Sequence, residues 1–188
     1  MSAFLDLLEK KILIADGAMG TLLQASGLKA GELPEVWNIT HPEVLIDIHN
    51  RYYESGSDFV STNTFGVNRY KLAELPAEYT LDQALASAIN NANAAREKFT
   101  AKGQQKLVAL DVGPLGKLLK PLGDVSFDDA YNAFAEVILK AVQIGGFDVV
   151  LIETMSDTME LKAAVLAAKE NCSLPVIASV AFDEKGQL

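Results

Sequence analysis

Three acidic residues stand where apolar runs give way to small or polar residues. Asp16 follows Ile12-Leu13-Ile14-Ala15, Asp111 lies near the end of Lys106–Gly113 (KLVALDVG), and Glu153 ends Phe147–Glu153 (FDVVLIE). Runs this short and this rich in β-branched residues read as buried parallel strands, so each acid lies at a strand's carboxyl end. Parallel α/β folds bind ligands at that end. Gly17 and Gly20 bracket the turn after Asp16, and Thr21-Leu22-Leu23-Gln24 can start a helix. A glycine turn leaves backbone N–H groups free to meet an anion, so Asp16 can hold a cation beside a carboxylate pocket. Each acid also has a plainer reading. Asp16 can cap its own turn, Asp111 can fix the turn before Gly113-Pro114, and Glu153 can form a salt bridge or cap a helix. Thr62-Asn63-Thr64 makes a fourth strand end unusually polar, and suits a site or a turn equally well.

The elements that position these groups follow a βα rhythm. Met1–Lys11 is amphipathic, Ile12–Ala15 is the first strand, and Ala25–Asn38 reads as a loop over the strand end. A helix follows, capped by Thr40 with Pro42 in its first turn and Ser55-Gly56 at its end. Asp58–Phe65 is the second strand, Leu81–Lys102 a helix and Lys106–Gly113 the third strand. After a loop, Lys117–Val125, comes a helix over Asp128–Ile144, capped by Ser126 and ended by Gly145-Gly146. Phe147–Glu153 is strand four, Asp157–Asn171 its helix, Pro175–Ala181 strand five, and Phe182–Leu188 a closing turn. Strands alternating with helices predict a parallel α/β fold. With polar residues at every strand end and no GxGxxG fingerprint, a (β/α)8 TIM barrel is favoured over an open dinucleotide-binding sheet. Eight units take about 250 residues. The expectation is therefore an incomplete barrel, a single domain over residues 1–188 with about five strands and four helical crossovers.

The totals narrow the class. In 188 residues, 25 Asp and Glu against 16 Lys and Arg leave a net charge of −9, which argues against nucleic acid and anionic membrane surfaces as partners. No apolar run is long enough to span a membrane, and nothing near the N-terminus resembles a signal peptide. The single cysteine, Cys172, excludes an internal disulfide and fits a reducing, cytoplasmic setting. It falls between a helix and a strand, at the opposite end from the acids, and reads as a small buried hydrophobe. His41 and His49 have no partner at i+4 for a metal and read as structural.

Taken in order, Asp16-Gly17-Ala18-Met19-Gly20-Thr21, Asn38-Ile39-Thr40-His41-Pro42-Glu43-Val44, Tyr53-Glu54-Ser55-Gly56-Ser57-Asp58 and Thr62-Asn63-Thr64-Phe65-Gly66 form the first half of a pattern. It continues through Asp111-Val112-Gly113-Pro114, Ile152-Glu153-Thr154-Met155-Ser156-Asp157, Glu160-Leu161-Lys162-Ala163-Ala164 and Phe182-Asp183-Glu184-Lys185-Gly186. This ordered set resembles the homocysteine S-methyltransferase family, nearest to the N-terminal homocysteine-binding domains of its cobalamin-dependent members. The resemblance implies a (β/α)8 barrel that moves a methyl group onto the thiol of homocysteine, giving methionine. It implies a zinc ion held by three cysteine thiolates, one after the sixth strand and an adjacent pair near the eighth, which would lie beyond Leu188. Cobalamin and methyltetrahydrofolate would enter through other, corrinoid- and folate-binding domains or proteins.

The same resemblance assigns roles. Asp16 and Glu153 would hold the substrate's ammonium and the N–H groups of Gly17, Ala18 and Met19 its carboxylate, with Thr62, Asn63 and Thr64 lining the mouth. No catalytic residue and no metal ligand is expected on this chain. A second reading is a non-catalytic half-barrel that acts as an interaction module or self-associates through exposed strand edges. A third, an acid/base hydrolase using Asp16 and Glu153, requires those carboxyls to face each other closely.

Overall fold

The computed structural model describes residues 2–75 and 78–187. Met1 of the expected N-terminal helix and Leu188 of the expected closing turn lie outside the described residues. In chain order the helices are α1 (Ala3–Leu8), α2 (Met19–Ala25), α3 (Trp37–Thr40), α4 (Pro42–Glu54) and α5 (Arg69–Leu72). They continue with α6 (Leu81–Thr100), α7 (Phe127–Ile144) and α8 (Thr158–Asn171). The strands are β1 (Phe59–Ser61), β2 (Leu107–Val112), β3 (Val149–Met155) and β4 (Val176–Val180). They form one sheet in the order β1-β2-β3-β4, and every neighbour pair is parallel. No described helix is long and apolar enough to cross a membrane.

Helix starts are written into the sequence as side chains that satisfy otherwise orphaned N–H groups. Thr80 and Gln83 form a reciprocal capping box at α6, and Ser126 and Asp129 form another at α7. Asp157 caps α8 by accepting from Met159 N at 2.6 Å and Glu160 N at 3.2 Å. At α4 the expected Thr40 cap is replaced. Trp37–Thr40 forms a short helix of its own, and Pro42 excludes the helical conformation at His41 (φ −138°, ψ 51°), which becomes the N-cap without a side-chain bond. Trp37 then stacks on the His41 ring, 4.2 Å between centroids.

β1, β2 and the first half of β3 are covered on both faces, which is why they read as apolar runs, whereas no residue of β4 is fully buried. Val60, Val108, Leu110, Val112, Val150 and Ile152 share the main core with α6, α7 and α8. On the other face Phe59, Leu107, Ala109 and Val149 pack with Phe4 of α1, whose ring meets Phe59 edge-on at 5.8 Å. Further along the same pleat, two residues at a time, that second face becomes polar: Ala109 leads to Asp111, Leu151 to Glu153, and Phe59 to Ser61.

The expected first strand, Ile12–Ala15, differs. It runs extended beside β1, with Ile14 O accepting from Asp58 N (2.7 Å) and Asp16 N donating to Phe59 O (3.1 Å), but it forms no strand. Leu13 packs inward against the Phe4 cluster, whereas Ile12 and Ile14 are 88% and 58% exposed. Nothing described covers their side, so the run is not the buried strand its apolarity suggested. Instead Asp58 anchors it, accepting from Lys11 Nζ (2.5 Å) and Ile14 N (2.9 Å). The sheet accordingly holds four strands rather than five.

Inside α4, His49 is fully buried and neither ring nitrogen has a partner among the described residues. Burial lowers its pKa from 6.5 to about 4. Because the unfolded chain binds that proton more readily, His49 contributes stability above pH 6.5 that is lost as the pH falls toward 4. At 1.36 kcal/mol per unit the loss is about 3 kcal/mol. His49→Met removes two unsatisfied nitrogens at similar volume. In urea titrations it is expected to be at least as stable as the wild type at pH 7 and to lose less stability at pH 4.5.

Candidate functional site

The polar end of the second face opens into a cleft of about 420 Å³. Its lining includes Asp16, Gly17, Ala18, Met19 and Gly20 from the first turn, Pro34 and Glu35 from the following loop, and Ser61, Thr62, Asn63 and Phe65 from the end of β1. Asp111, Leu151 and Glu153 supply the β2 and β3 side. Four carboxyl residues line this space, and among the described residues no Lys, Arg or His does.

Asp16 caps neither its own turn nor α2. Its Oδ2 accepts from Ser61 N (2.9 Å) and its Oδ1 from Ser61 Oγ (3.0 Å), so the carboxylate takes over the ladder where the extended segment stops pairing with β1. Burial raises its pKa from 3.8 to about 6 against the lowering effect of those two bonds, and Glu153 adds a smaller upward push. Burial also raises Glu153. The sequence around Glu153 explains its aim. Thr154 adopts φ 62°, and the β3–β4 register shifts between Ile152 and Met155, a bulge that turns the strand end. A β-branched residue at positive φ is strained, and such strain clusters at sites that over-determine it.

The start of α2 has an Ala18 N-cap with no side-chain bond. Among the described residues no side chain caps its first N–H groups, and Gly17, Ala18, Met19 and Gly20 line the cleft. Tyr52 of α4 holds this turn by donating its hydroxyl to Ala18 O at 2.9 Å. A Cβ on Gly17 would lie 3.1 Å from that hydroxyl, so glycine there gives the tyrosine its room.

Of the threonine–asparagine cluster, Thr62 and Asn63 line the cleft and Thr64 does not. Thr64 donates to Asp111 O (2.6 Å), Thr62 Oγ1 lies 2.7 Å from Thr64 Oγ1, and Asp111 N donates to Thr62 Oγ1 (3.1 Å). With Thr64's proton committed to Asp111 O, Thr62 must donate to Thr64. The three bonds form a closed ring that fixes the Asp111 backbone from both sides. Asn63 Nδ2 donates to Pro34 O (2.8 Å), and Asn38 Nδ2 to Asn63 O (2.7 Å) and Glu35 O (2.9 Å). These amides tie the 25–38 loop over the strand ends.

Six lining residues carried no signal as site residues in the sequence: Ala15, Pro34, Glu35, Ser61, Phe65 and Leu151. Glu35 reads as a loop acid, yet it is 6% exposed and its Oε1 accepts from Gly66 N at 2.5 Å. Gly66 was the available clue, because a Cβ there would collide with that carboxyl. Asp111 was visible as a strand-end acid and weighed as a turn former. Burial together with Glu153, Asp16 and Glu35 holds its carboxyl well above the usual carboxylate range, against the lowering effect of a backbone hydrogen bond from Val112. Cys172 lies partly buried at the C-cap of α8, where β4 begins, away from the cleft.

Residues 13–188 match the family model for Homocysteine S-methyltransferase. The chain belongs to that family. Among curated relatives, the methionine synthases of Mycobacterium tuberculosis (strain ATCC 25618 / H37Rv) and Mycobacterium leprae (strain TN) are each 32% identical over 195 aligned residues. That match takes in 98% of this chain and 16% of theirs, so the chain spans about one sixth of the length of those relatives. Among solved structures, the homocysteine methyltransferase MmuM from Escherichia coli in its oxidized form superposes with a TM-score of 0.81 at 22% identity. The match covers 97% of this chain and 66% of that one, and the metallated form gives the same TM-score over 68% of its length. The four parallel strands and their helices thus have the architecture of part of a homocysteine S-methyltransferase fold.

Proposed function

We propose that the cleft binds the amino-acid portion of homocysteine, and that residues 1–188 form the N-terminal part of a barrel domain whose substrate thiol receives a methyl group to give methionine. The observation that carries this reading is the cleft's charge. Acids from separate elements converge on one space without a basic residue, beside the uncapped start of α2. That pairing matches an ammonium and a carboxylate on one carbon. Asp16 and Glu153 receive the ammonium; the open N–H groups around Gly17, Ala18 and Met19 receive the carboxylate; Thr62 and Asn63 shape the wall.

The thiolate zinc of the family does not fit the residues present. Among the described residues no group of three His, Cys, Asp or Glu side chains is arranged to hold a metal, and Cys172 stands at the other end of the strands. This chain's contribution is therefore recognition and orientation of the amino acid. Activation of the thiol by zinc and delivery of the methyl group from methyltetrahydrofolate through cobalamin belong, in this proposal, to protein outside these residues.

Isothermal titration of the chain with L-homocysteine tests the reading. Binding that is lost when the ligand lacks its amino group supports it; equal binding of homocysteine and its des-amino analogue, 4-mercaptobutanoate, overturns it.

A further inference from the structure

Tyr52 and Tyr53 are neighbours on α4, and their hydroxyls tie that helix in two directions. Tyr53 donates to Leu107 O of β2 at 2.8 Å, whereas Tyr52, about 100° away around the helix, donates to Ala18 O at 2.9 Å. The Tyr52 ring packs against both the main core and the cluster of Leu23, Trp37, Leu45 and Ile48, which fixes where its hydroxyl lies. Burial pushes that hydroxyl above the usual phenol range and Asp16 adds to the push, with Arg51 opposing, so it stays a proton donor at neutral pH. Tyr52 does not line the cleft, but Gly17, Ala18, Met19 and Gly20 do. The glycine turn thus has the tyrosine on one side and the cleft on the other.

A trans peptide unit is planar, with its C=O and N–H pointing opposite ways. The carbonyl of Ala18 and the N–H of Met19 belong to one such unit. Tyr52 draws the carbonyl toward α4, so the Met19 N–H is aimed away from α4, to the side on which the cleft opens. Met19 is the first residue of α2, and its N–H has no acceptor among the described residues. A Ser, Thr, Asp or Asn at the N-cap would fix such a turn by accepting from N–H groups of the first helical turn, and would occupy them. Ala18 has no side chain to do so, and the turn is held through its carbonyl instead. Gly17 completes the arrangement. Its backbone is not in the left-handed region, so what glycine provides there is space: a Cβ would lie 3.1 Å from the Tyr52 hydroxyl and 3.3 Å from the ring at Cε1.

We propose that the Tyr52 hydroxyl and the bare Cα of Gly17 act as one positioning device, holding the Ala18–Met19 peptide with its N–H turned into the cleft to receive the carboxylate of the amino acid. Tyr52 is a positioning residue, because it reaches the substrate only through the backbone of Ala18. This inference rests on the reading of the cleft as an amino-acid site, and adds the group that keeps one of its anion-binding N–H donors in place before the ligand arrives. Without the hydroxyl the peptide is free to turn about its flanking torsions, and the donor must be reoriented during binding. That cost falls on ligands that carry a carboxylate and on no others.

The test is calorimetric titration of the full chain with L-homocysteine and with 3-amino-1-propanethiol, which keeps the ammonium and the thiol but lacks the carboxylate. Tyr52→Phe preserves the ring packing and is expected to bind homocysteine roughly tenfold more weakly, while its affinity for 3-amino-1-propanethiol stays within about twofold of the wild type. Gly17→Ala is expected to weaken homocysteine binding about three- to tenfold by pushing the hydroxyl off Ala18 O. The double variant should bind homocysteine within about twofold of Tyr52→Phe alone, because the alanine then displaces a bond already gone. That coupling is read with homocysteine alone. Wild-type homocysteine affinity in Tyr52→Phe overturns the inference. Equal weakening for both ligands also overturns it, by making the hydroxyl merely structural, and additive losses from the two substitutions overturn it by separating the glycine from the tyrosine. A wild type that binds the two ligands alike overturns this inference and leaves the ammonium half of the reading standing; failure to bind homocysteine at all removes both.

Discussion

Asp16→Asn is expected to weaken homocysteine binding by about 10- to 100-fold, the range set by losing a charge-assisted hydrogen bond in a half-buried site. The substitution keeps the side chain's shape but removes the charge proposed to face the substrate's ammonium. It also disturbs the pair of bonds from Ser61, because an amide presents only one acceptor oxygen where the carboxylate presents two. The pH profile separates these effects. With its pKa near 6, wild-type Asp16 is neutral below that value, so homocysteine affinity is expected to fall as the pH drops from 7 to 5. In Asp16→Asn the part of that fall centred near pH 6 should be absent.

Stability moves the other way. The folded pKa of Asp16 lies above the unfolded 3.8, so its ionisation costs the fold stability above pH 6, and the cost disappears as the pH falls through that window. Neutralising the residue relieves that cost and offsets much of the lost bonding to Ser61. The unfolding free energy of Asp16→Asn should therefore stay within about 1 kcal/mol of the wild type at pH 7. Calorimetric titration at pH 5, 6 and 7 with thermal melts on the same samples checks both halves. Wild-type-like affinity in the variant would remove Asp16 from the binding site and leave it as a tie between the extended segment and β1.

Gly113→Ala has the largest expected effect on the fold. A Cβ at Gly113 would lie 2.5 Å from the Phe65 ring and 2.6 Å from the Phe65 carbonyl oxygen. Turning the ring can relieve the first contact. The second is with backbone, and Gly113 N already donates to that same carbonyl at 3.2 Å, so the two strand ends must separate. Overpacking of this kind costs about 3 kcal/mol, or a fall of about 6–12 °C in melting temperature for a chain of this size. Phe65 lines the cleft, so homocysteine binding should weaken with it. Gly20→Ala is the matched control. Gly20 also lines the cleft but lies in α2 with nothing within 4 Å of an added Cβ, and helix propensity favours alanine there by up to about 1 kcal/mol. Melting curves of the two variants side by side test whether close backbone approach, rather than loss of glycine as such, sets the cost.

The parallel α/β class, the order of the elements and most helix boundaries were legible in the chain because they depend on local physics. Apolar runs of strand length, 3.6-residue periodicity and capping residues such as Ser126 act over a few neighbouring positions. The acids Asp16, Asp111 and Glu153 could be placed at one end of the sheet for the same reason: a parallel strand presents its carboxyl end on the side where its loop begins. The family pattern, spread along nearly the whole chain, could be read in order without knowing any contact.

Tertiary structure alone decided which groups satisfy one another. Ile12–Ala15 has a strand's composition, but forming a strand requires partners and cover, and the segment has a few backbone bonds to Asp58 and Phe59 and the inward packing of Leu13, with Ile12 and Ile14 left exposed. Glu35 became part of the cleft because Asn38 and Asn63 tie its loop across the strand ends, a contact spanning 25 residues. Asp16 bonded to Ser61 rather than to its own turn, and Asp111 Oδ1 was left without a partner among the described residues. Composition and periodicity determined where the acids stand; burial and long-range pairing decided which of their oxygens find partners within the fold.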